Sequence, residues 1–105
     1  MVVHLKASII VPILNESQSI GAAIDMIRNI KNIYEVIFVD GGSTDGTLDI
    51  IPKEFKIVHS PSGRGMQLNK GAAAARGDVL LFLHCDSWLN KDAITSITEV
   101  LEHLY

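Results

Sequence analysis

The chain has 105 residues, 48% of them hydrophobic, and a formal net charge of −3. That length suits one domain, residues 1–105, and is too short for two ordinary ones. The 9 basic and 12 acidic residues are interspersed, so no basic face proposes a nucleic acid or an anionic membrane as partner.

The opening stretch "MVVHLKASIIVPILNES" lacks the charged start, long apolar run and small-residue cleavage site of a signal peptide. It reads as mature structure. "ASIIVPI" (Ala7–Ile13) is β-rich without polar alternation, the pattern of a strand covered on both faces. "NESQSIGAAIDMIRNI" follows, with Ile20, Ala23, Ile24, Ile27 and Ile30 at helical spacing and Asn15 or Ser17 as cap. "EVIFV" (Glu35–Val39) is a second buried strand, and "DGGSTDGT" is a loop by its glycines.

A short helix is predicted over Thr47–Ile51, stopping before Pro52. "KIVH" (Lys56–His59) is a third strand. After the loop "SPSGRG", the stretch "MQLNKGAAAAR" reads as a helix of small residues packed close to its neighbour, with Gly77 ending it. "VLLFL" (Val79–Leu83) is the fourth strand. The last helix starts near Asn90 as cap and buries Ile94, Ile97, Leu101 and Leu104. No apolar run approaches the ~18 residues of a membrane span. The single cysteine, Cys85, excludes an internal disulfide and suits a reducing compartment, so a cytoplasmic globular domain is expected.

The order βαβαβαβα predicts an α/β fold: three α/β/α layers around a mostly parallel sheet of about four strands, with right-handed crossovers. In such a sheet, ligands bind outside the carboxyl ends of the strands. The unusual polar residues fall at those ends: Asn15 and Glu16 after strand one, Asp40 after strand two, His84 and Asp86 after strand four. The amino-end loops hold ordinary turn material such as "RNIKNIY" and "RGD". Asn15, Glu16, Asp40 and Asp86 are therefore expected to share one edge and one crevice.

Each candidate also has a plain structural use. Glu16 can complement a helix start, where negative charge gains about 0.3–1 kcal/mol. Asp40 precedes two glycines that serve a tight turn as well as the approach of a ligand. Asp45 reads as a helix cap, Asp78 as a turn residue, and His59 as a packed, hydrogen-bonded residue. His4 and His103 read as solvated. Arg64 lies between glycines before a helix, a place that attracts phosphate and equally suits a surface arginine.

The common cofactor motifs are missing. "PILNES" stands where a dinucleotide fold needs G-x-G-x-x-G, and "GRG" at Gly63–Gly65 has Leu68 in the place of the third glycine. There is no G-x-x-x-x-G-K-[ST], and one cysteine beside one histidine does not make a zinc site.

Three blocks carry a resemblance: "SIIVPILNES", "EVIFVDGGSTDGT" and "GRGMQLNKGAAAARGDVLLFLHCDS". In this order they resemble the nucleotide-sugar-binding half of family 2 glycosyltransferases, of the GT-A fold. The similarity extends to a subgroup with His-x-Asp as its metal motif, here His84, Cys85, Asp86 and Ser87. The resemblance implies an inverting, metal-assisted transfer of sugar from a nucleoside-diphosphate sugar to an unknown acceptor. It implies that Pro12, Asn15 and Glu16 line the base and ribose pocket, that Asp40 contacts the nucleoside, and that Arg64 lies beside the base or phosphates. Asp86 would hold Mn²⁺ or Mg²⁺ against the diphosphate, and His84 would contact the sugar or diphosphate.

Two departures from the family pattern stand out. Gly41 replaces the usual second acid after Asp40. The family also continues past the metal motif into an acceptor half that supplies the general base, so the chain is expected to be a truncated lobe. The alternative to a working transferase is a lobe that binds nucleotide and metal and transfers nothing by itself. Surface left bare beside strand four predicts homo-oligomers.

Overall fold

The computed structural model describes residues 3–104. Along the chain come β1 (Ala7–Ile13), α1 (Ile20–Asn29), β2 (Ile33–Asp40), α2 (Thr47–Ile50), β3 (Lys56–His59), α3 (Arg64–Ala74), β4 (Val79–Phe82) and α4 (Ala93–Glu102). The four strands form one sheet in the order β3-β2-β1-β4, every pair parallel. The predicted three-layer α/β/α architecture is present.

Side-chain alternation sorts the layers. Ile9, Val11 and Ile13 of β1 pack with Phe38 against Ile20, Ile24 and Ile27 of α1, Leu48 of α2 and Ile94 of α4. Ile10 points the other way and clusters with Ile37 and Val39 under Ala72 and Ala74 of α3. Both faces of β1 and β2 are thus covered, which is why "SIIV" and "VIFV" carry no polar alternation. The small residues of α3 have a steric reason. A Cβ on Gly71 would lie 2.4 Å from Ile10 Cγ2 and 2.9 Å from Val39 Cγ2, so only glycine lets this helix settle on the sheet.

Several boundaries differ from expectation. Neither Asn15 nor Ser17 caps α1; Ser19 holds the N-cap position, and Glu16 O accepts the Ser19 and Ile20 amides in the turn before it. Asn15 and Ser17 bond instead to the loop after β2. Helix α3 starts two residues earlier than expected, at Arg64, and ends at Ala74 instead of near Gly77. Gly77 has another role: its N–H donates to Ser8 Oγ at 2.8 Å, and a Cβ there would meet the same oxygen at 2.4 Å.

Helix α4 starts at Ala93 with Asp92 at the N-cap position, while Asn90 Oδ1 accepts the Asp92 amide one turn earlier. Leu104 lies past the helix end and is 75% exposed, so the buried stripe runs through Ile94 and Thr98, with Ile97 and Leu101 half-buried. Among the described residues no helix is long and apolar enough to cross a membrane.

Candidate functional site

Strands β2 and β3 lie on one side of β1 and β4 on the other, so the chain reverses its direction of travel across the sheet at β1. Crevices open at such switch points, beyond the strand carboxyl ends. Here Pro12 sharpens the opening. The Ile10 carbonyl accepts the Leu83 amide at 2.9 Å, and Ile10 is paired with Phe82. The next donor along that edge of β1 would be the N–H of residue 12, which proline lacks. The β1–β4 ladder stops there, and the chain after Phe82 swings away from β1.

The resulting cleft, of about 280 Å³, is bordered by Pro12, Ile13, Glu16, Arg64, Gln67 and His84, among others. A second hollow of about 210 Å³ adjoins it and shares Pro12, Arg64 and His84. Four of the seven expected site residues therefore meet at the switch point: Pro12, Glu16, Arg64 and His84.

Asp86 stands beside His84 in the turn closed by the Ser87 amide on the His84 carbonyl. Cys85 is buried, and its thiol is pushed up to about 11 by burial and by the charge of Glu16, with a smaller push from Asp86. It is unavailable as a thiolate ligand. His84 and Asp86 project the other way and join through Nδ1 and Oδ1. The Asp86 side chain is 71% exposed. With the carboxylate engaging Nδ1, a neutral imidazole keeps its Nε2 lone pair free. The pair can meet a divalent cation through a carboxylate oxygen or through that nitrogen.

The donor set fits such an ion. Carboxylate oxygen suits Mg²⁺ and Mn²⁺, and the added imidazole favours Mn²⁺ of the two. Among the described residues no three His, Cys, Asp or Glu side chains come together as a metal site. Oxygens from a ligand and water would have to complete the sphere.

Arg64 is the first residue of α3, exposed, next to Gly63 at φ 134°. It adds a guanidinium to a helix N-terminus, where backbone N–H groups already favour anions. Glu16 borders the cleft, and its Oε2 accepts the Ser19 hydroxyl at 3.1 Å just before α1.

Asn15 and Asp40 border neither hollow. Asn15, at φ 52°, donates its amide to Ser43 Oγ (2.9 Å) and accepts the Thr44 amide on Oδ1 (2.8 Å). It laces the loop after β1 to the loop after β2. Asp40 is 3% exposed, and its carboxylate accepts the Gly42 and Ser43 amides at 3.1 and 3.2 Å. Gly42, at φ 107°, makes that turn feasible.

Asp45 does not hold the expected cap position, which belongs to Gly46; from one residue earlier it accepts the Thr47 amide (3.0 Å) and hydroxyl and the Ser17 amide (3.1 Å). The Thr47 hydroxyl, followed by the Ser17 contacts, holds its carboxyl well below the usual range despite some desolvation. His59 departs from its expected packed role: its side chain is largely exposed, with Nδ1 3.9 Å from Asp40 Oδ2.

Sequence reasoning passed over Gln67. It is 5% exposed, borders the cleft, and bonds the carbonyls of Ile13, the last residue of β1, and Val39, the next-to-last of β2. The available signal was a polar residue on the inward face of a small-residue helix, four places after a glycine.

A family model described as "Glycosyl transferase family 2" matches residues 8–104. A PGL/p-HBAD biosynthesis glycosyltransferase of Mycobacterium tuberculosis is 41% identical over 91 residues, covering 78% of this chain and 36% of its own length. A poly(ribitol-phosphate) beta-glucosyltransferase of Bacillus spizizenii is 30% identical over 102 residues, covering 86% of this chain and 16% of its own. The chain thus spans only about a third or less of the curated relatives it matches.

Among solved structures, the mannosyltransferase PcManGT from Pyrobaculum calidifontis, in complex with GDP-Man and Mn²⁺, superposes with a TM-score of 0.80. It is 24% identical, with 95% of this chain and 32% of that one covered. Glucosyl-3-phosphoglycerate synthase from Mycobacterium tuberculosis, with Mn²⁺, UDP and phosphoglyceric acid, gives a TM-score of 0.75 at 25% identity, covering 93% and 39%.

Proposed function

The chain belongs to glycosyl transferase family 2, and from that premise we propose that it is the donor-binding part of a transferase that moves a sugar from a nucleoside-diphosphate sugar to an acceptor, with inversion. The observation that carries the reading is the meeting of Pro12, Glu16, Arg64 and His84 around one cleft at the switch point, with Asp86 beside it. The GDP-Man and Mn²⁺ of one similar structure and the UDP and Mn²⁺ of another support a nucleoside diphosphate and a divalent cation as its occupants.

The roles follow from the chemistry of the groups. Pro12 and Glu16 border the base and ribose end. Arg64 lends a planar fork of donors, and the first turn of α3 lends free amides, to phosphate oxygens. His84 and Asp86 hold Mn²⁺ or Mg²⁺, whose charge offsets the negative charge growing on a diphosphate leaving group. Asn15 and Asp40 keep the two loops behind the nucleoside in shape, with Asp40 nearest the base side. The relatives are more than twice as long as this chain, and none of these 105 residues is assigned the acceptor site or the general base.

A cytoplasmic place belongs to the same reading. So does self-association through β4, whose outer edge is unpaired and whose Leu80 and Phe82 are exposed.

Calorimetry with UDP and GDP, with and without Mn²⁺, tests the proposal, together with an assay for hydrolysis of UDP-glucose and GDP-mannose. Metal-dependent binding is expected. Turnover by the 105-residue chain would favour a working enzyme, and binding without turnover the lobe. If neither nucleotide binds, the proposal fails.

A further inference from the structure

We infer that Gln67 is a positioning residue of this site: its carboxamide pins the Arg64 end of α3 over the open ends of β1 and β2. The inference rests on the reading of the cleft as a nucleotide site and adds a residue to it.

The geometry is specific. Gln67 Nε2 donates to Ile13 O at 2.9 Å and to Val39 O at 3.0 Å, while Oε1 lies 3.4 Å from the Gly63 amide. Ile13 is the last residue of β1 and Val39 the next-to-last of β2; the Ile13 carbonyl also accepts the Gly41 amide at 2.9 Å, so the carboxamide is a second donor there. One side chain therefore ties three segments: the end of β1, the end of β2, and the residue that precedes Arg64. Both amide hydrogens and the amide oxygen are used. The Gln67 backbone amide also donates to Gly63 O at 2.9 Å, so Gly63, in its left-handed region, is held from both of its backbone polar groups.

The same contact explains an oddity of the "DGGS" block. A Cβ on Gly41 would fall 2.9 Å from Gln67 Cδ and 3.0 Å from Nε2 and Oε1. Gly41 has no positive φ, so its backbone would admit another residue; what excludes one is the carboxamide. A side chain at position 41 and the Gln67 carboxamide as placed compete for the same space. The missing acid and the buried glutamine are one feature of the wall.

Gln67→Met keeps the shape and removes both donors and the acceptor. Two readouts decide the matter on the 105-residue chain. Amide hydrogen exchange at Gly63 and Gln67, the two bonded amides at the start of α3, should quicken at least tenfold, while amides of Ile9 and Val11 in the core exchange as before. The Kd for UDP or GDP with Mn²⁺ should rise about tenfold under conditions where the variant is fully folded. A merely structural glutamine would lower the melting temperature and leave the affinity of the folded protein unchanged, and that result overturns the inference. So does unchanged exchange in the first turn of α3.

Should Gln67→Met fail to fold, Gly41→Ala displaces the carboxamide without removing it. It should show the same two effects, and Gly41→Ala with Gln67→Ala should not add to Gln67→Ala alone; additive effects refute the shared space. If the parent chain binds neither nucleotide, the nucleotide reading fails on its own, and the exchange data alone decide whether Gln67 pins the helix.

Discussion

His84 and Asp86 join side chain to side chain across Cys85, whose own thiol turns into the core. A turn over His84–Ser87, closed by the Ser87 amide on the His84 carbonyl at 3.0 Å, brings the two polar side chains together while the cysteine stays buried.

Asp86→Asn removes the anionic ligand with little change of shape. Even the outer-shell partners of metal sites are typically worth 10–100-fold in affinity, so Mn²⁺-dependent nucleotide binding should weaken at least about tenfold. Because the side chain is mostly exposed, stability should stay within about 0.5 kcal/mol. Calorimetry with and without Mn²⁺, beside a denaturant melt, separates the two effects. Undiminished metal-dependent binding would remove Asp86 from the site.

Cys85 should resist alkylation. Its thiol is pushed up to about 11, first by burial and then by the Glu16 charge, and only the thiolate reacts. Iodoacetamide at pH 8 should label the native chain far more slowly than the urea-unfolded chain, as mass spectrometry would reveal. Equal rates would mean that the residue faces solvent.

Gly71→Ala puts a methyl group where Ile10 and Val39 leave no room. Overpacking of this kind costs about 1–3 kcal/mol. For a domain near this size each kcal/mol lowers Tm by roughly 4–8 °C. Gly21→Ala, with nothing within 4 Å of its new carbon, is the matched control and should not lower Tm.

Glu35 links the amino edge of the sheet, accepting the Ser8 hydroxyl at 2.6 Å and the Arg76 amide. Desolvation pushes its pKa up, but the hydrogen bonds from Arg76, Ser8 and Gly77 and the Lys56 charge outweigh it, so the net shift is downward from 4.5. A carboxylate whose folded pKa is depressed stabilises the fold above its unfolded pKa and loses that contribution as pH falls through the folded value. The stability advantage of the parent over Glu35→Gln should therefore be full at neutral pH and shrink steadily below about pH 4.5. Urea melts between pH 3 and 7 would show it; an advantage that grew on acidification would contradict the assignment.

Much of the fold was legible because both faces of β1 and β2 are buried. An unbroken apolar stretch gave β1 to the residue, the bounds of "KIVH" matched β3, and helical spacing found the buried face of α1. Helix ends were less legible. Asn15, Ser17 and Asn90 are good capping types, yet the Asn15 side chain accepts the Thr44 amide of another loop, Ser17 donates its backbone amide to Asp45, and Asn90 accepts the Asp92 amide two residues on. Such side chains compete for several nearby backbone groups. The site was half legible. The polar residues after β1, β2 and β4 had to lie on one edge once the sheet was parallel, but nothing in their spacing said that Asp40 would turn back on its own loop.

What the linear pattern determined by itself was the α/β alternation, the shared edge of the candidate residues, and the three family blocks, since each depends only on local periodicity and residue identity. What only the folded chain decided was which of those residues reach the cleft. Pro12 opens the sheet only because β4 lies on that side of β1, and Gln67 matters only because two strand ends and a glycine converge on it. Those contacts join residues as far apart as Gln67 and Ile13, 54 positions, and Leu83 and Ile10, 73 positions, and distance along the chain carries no record of them.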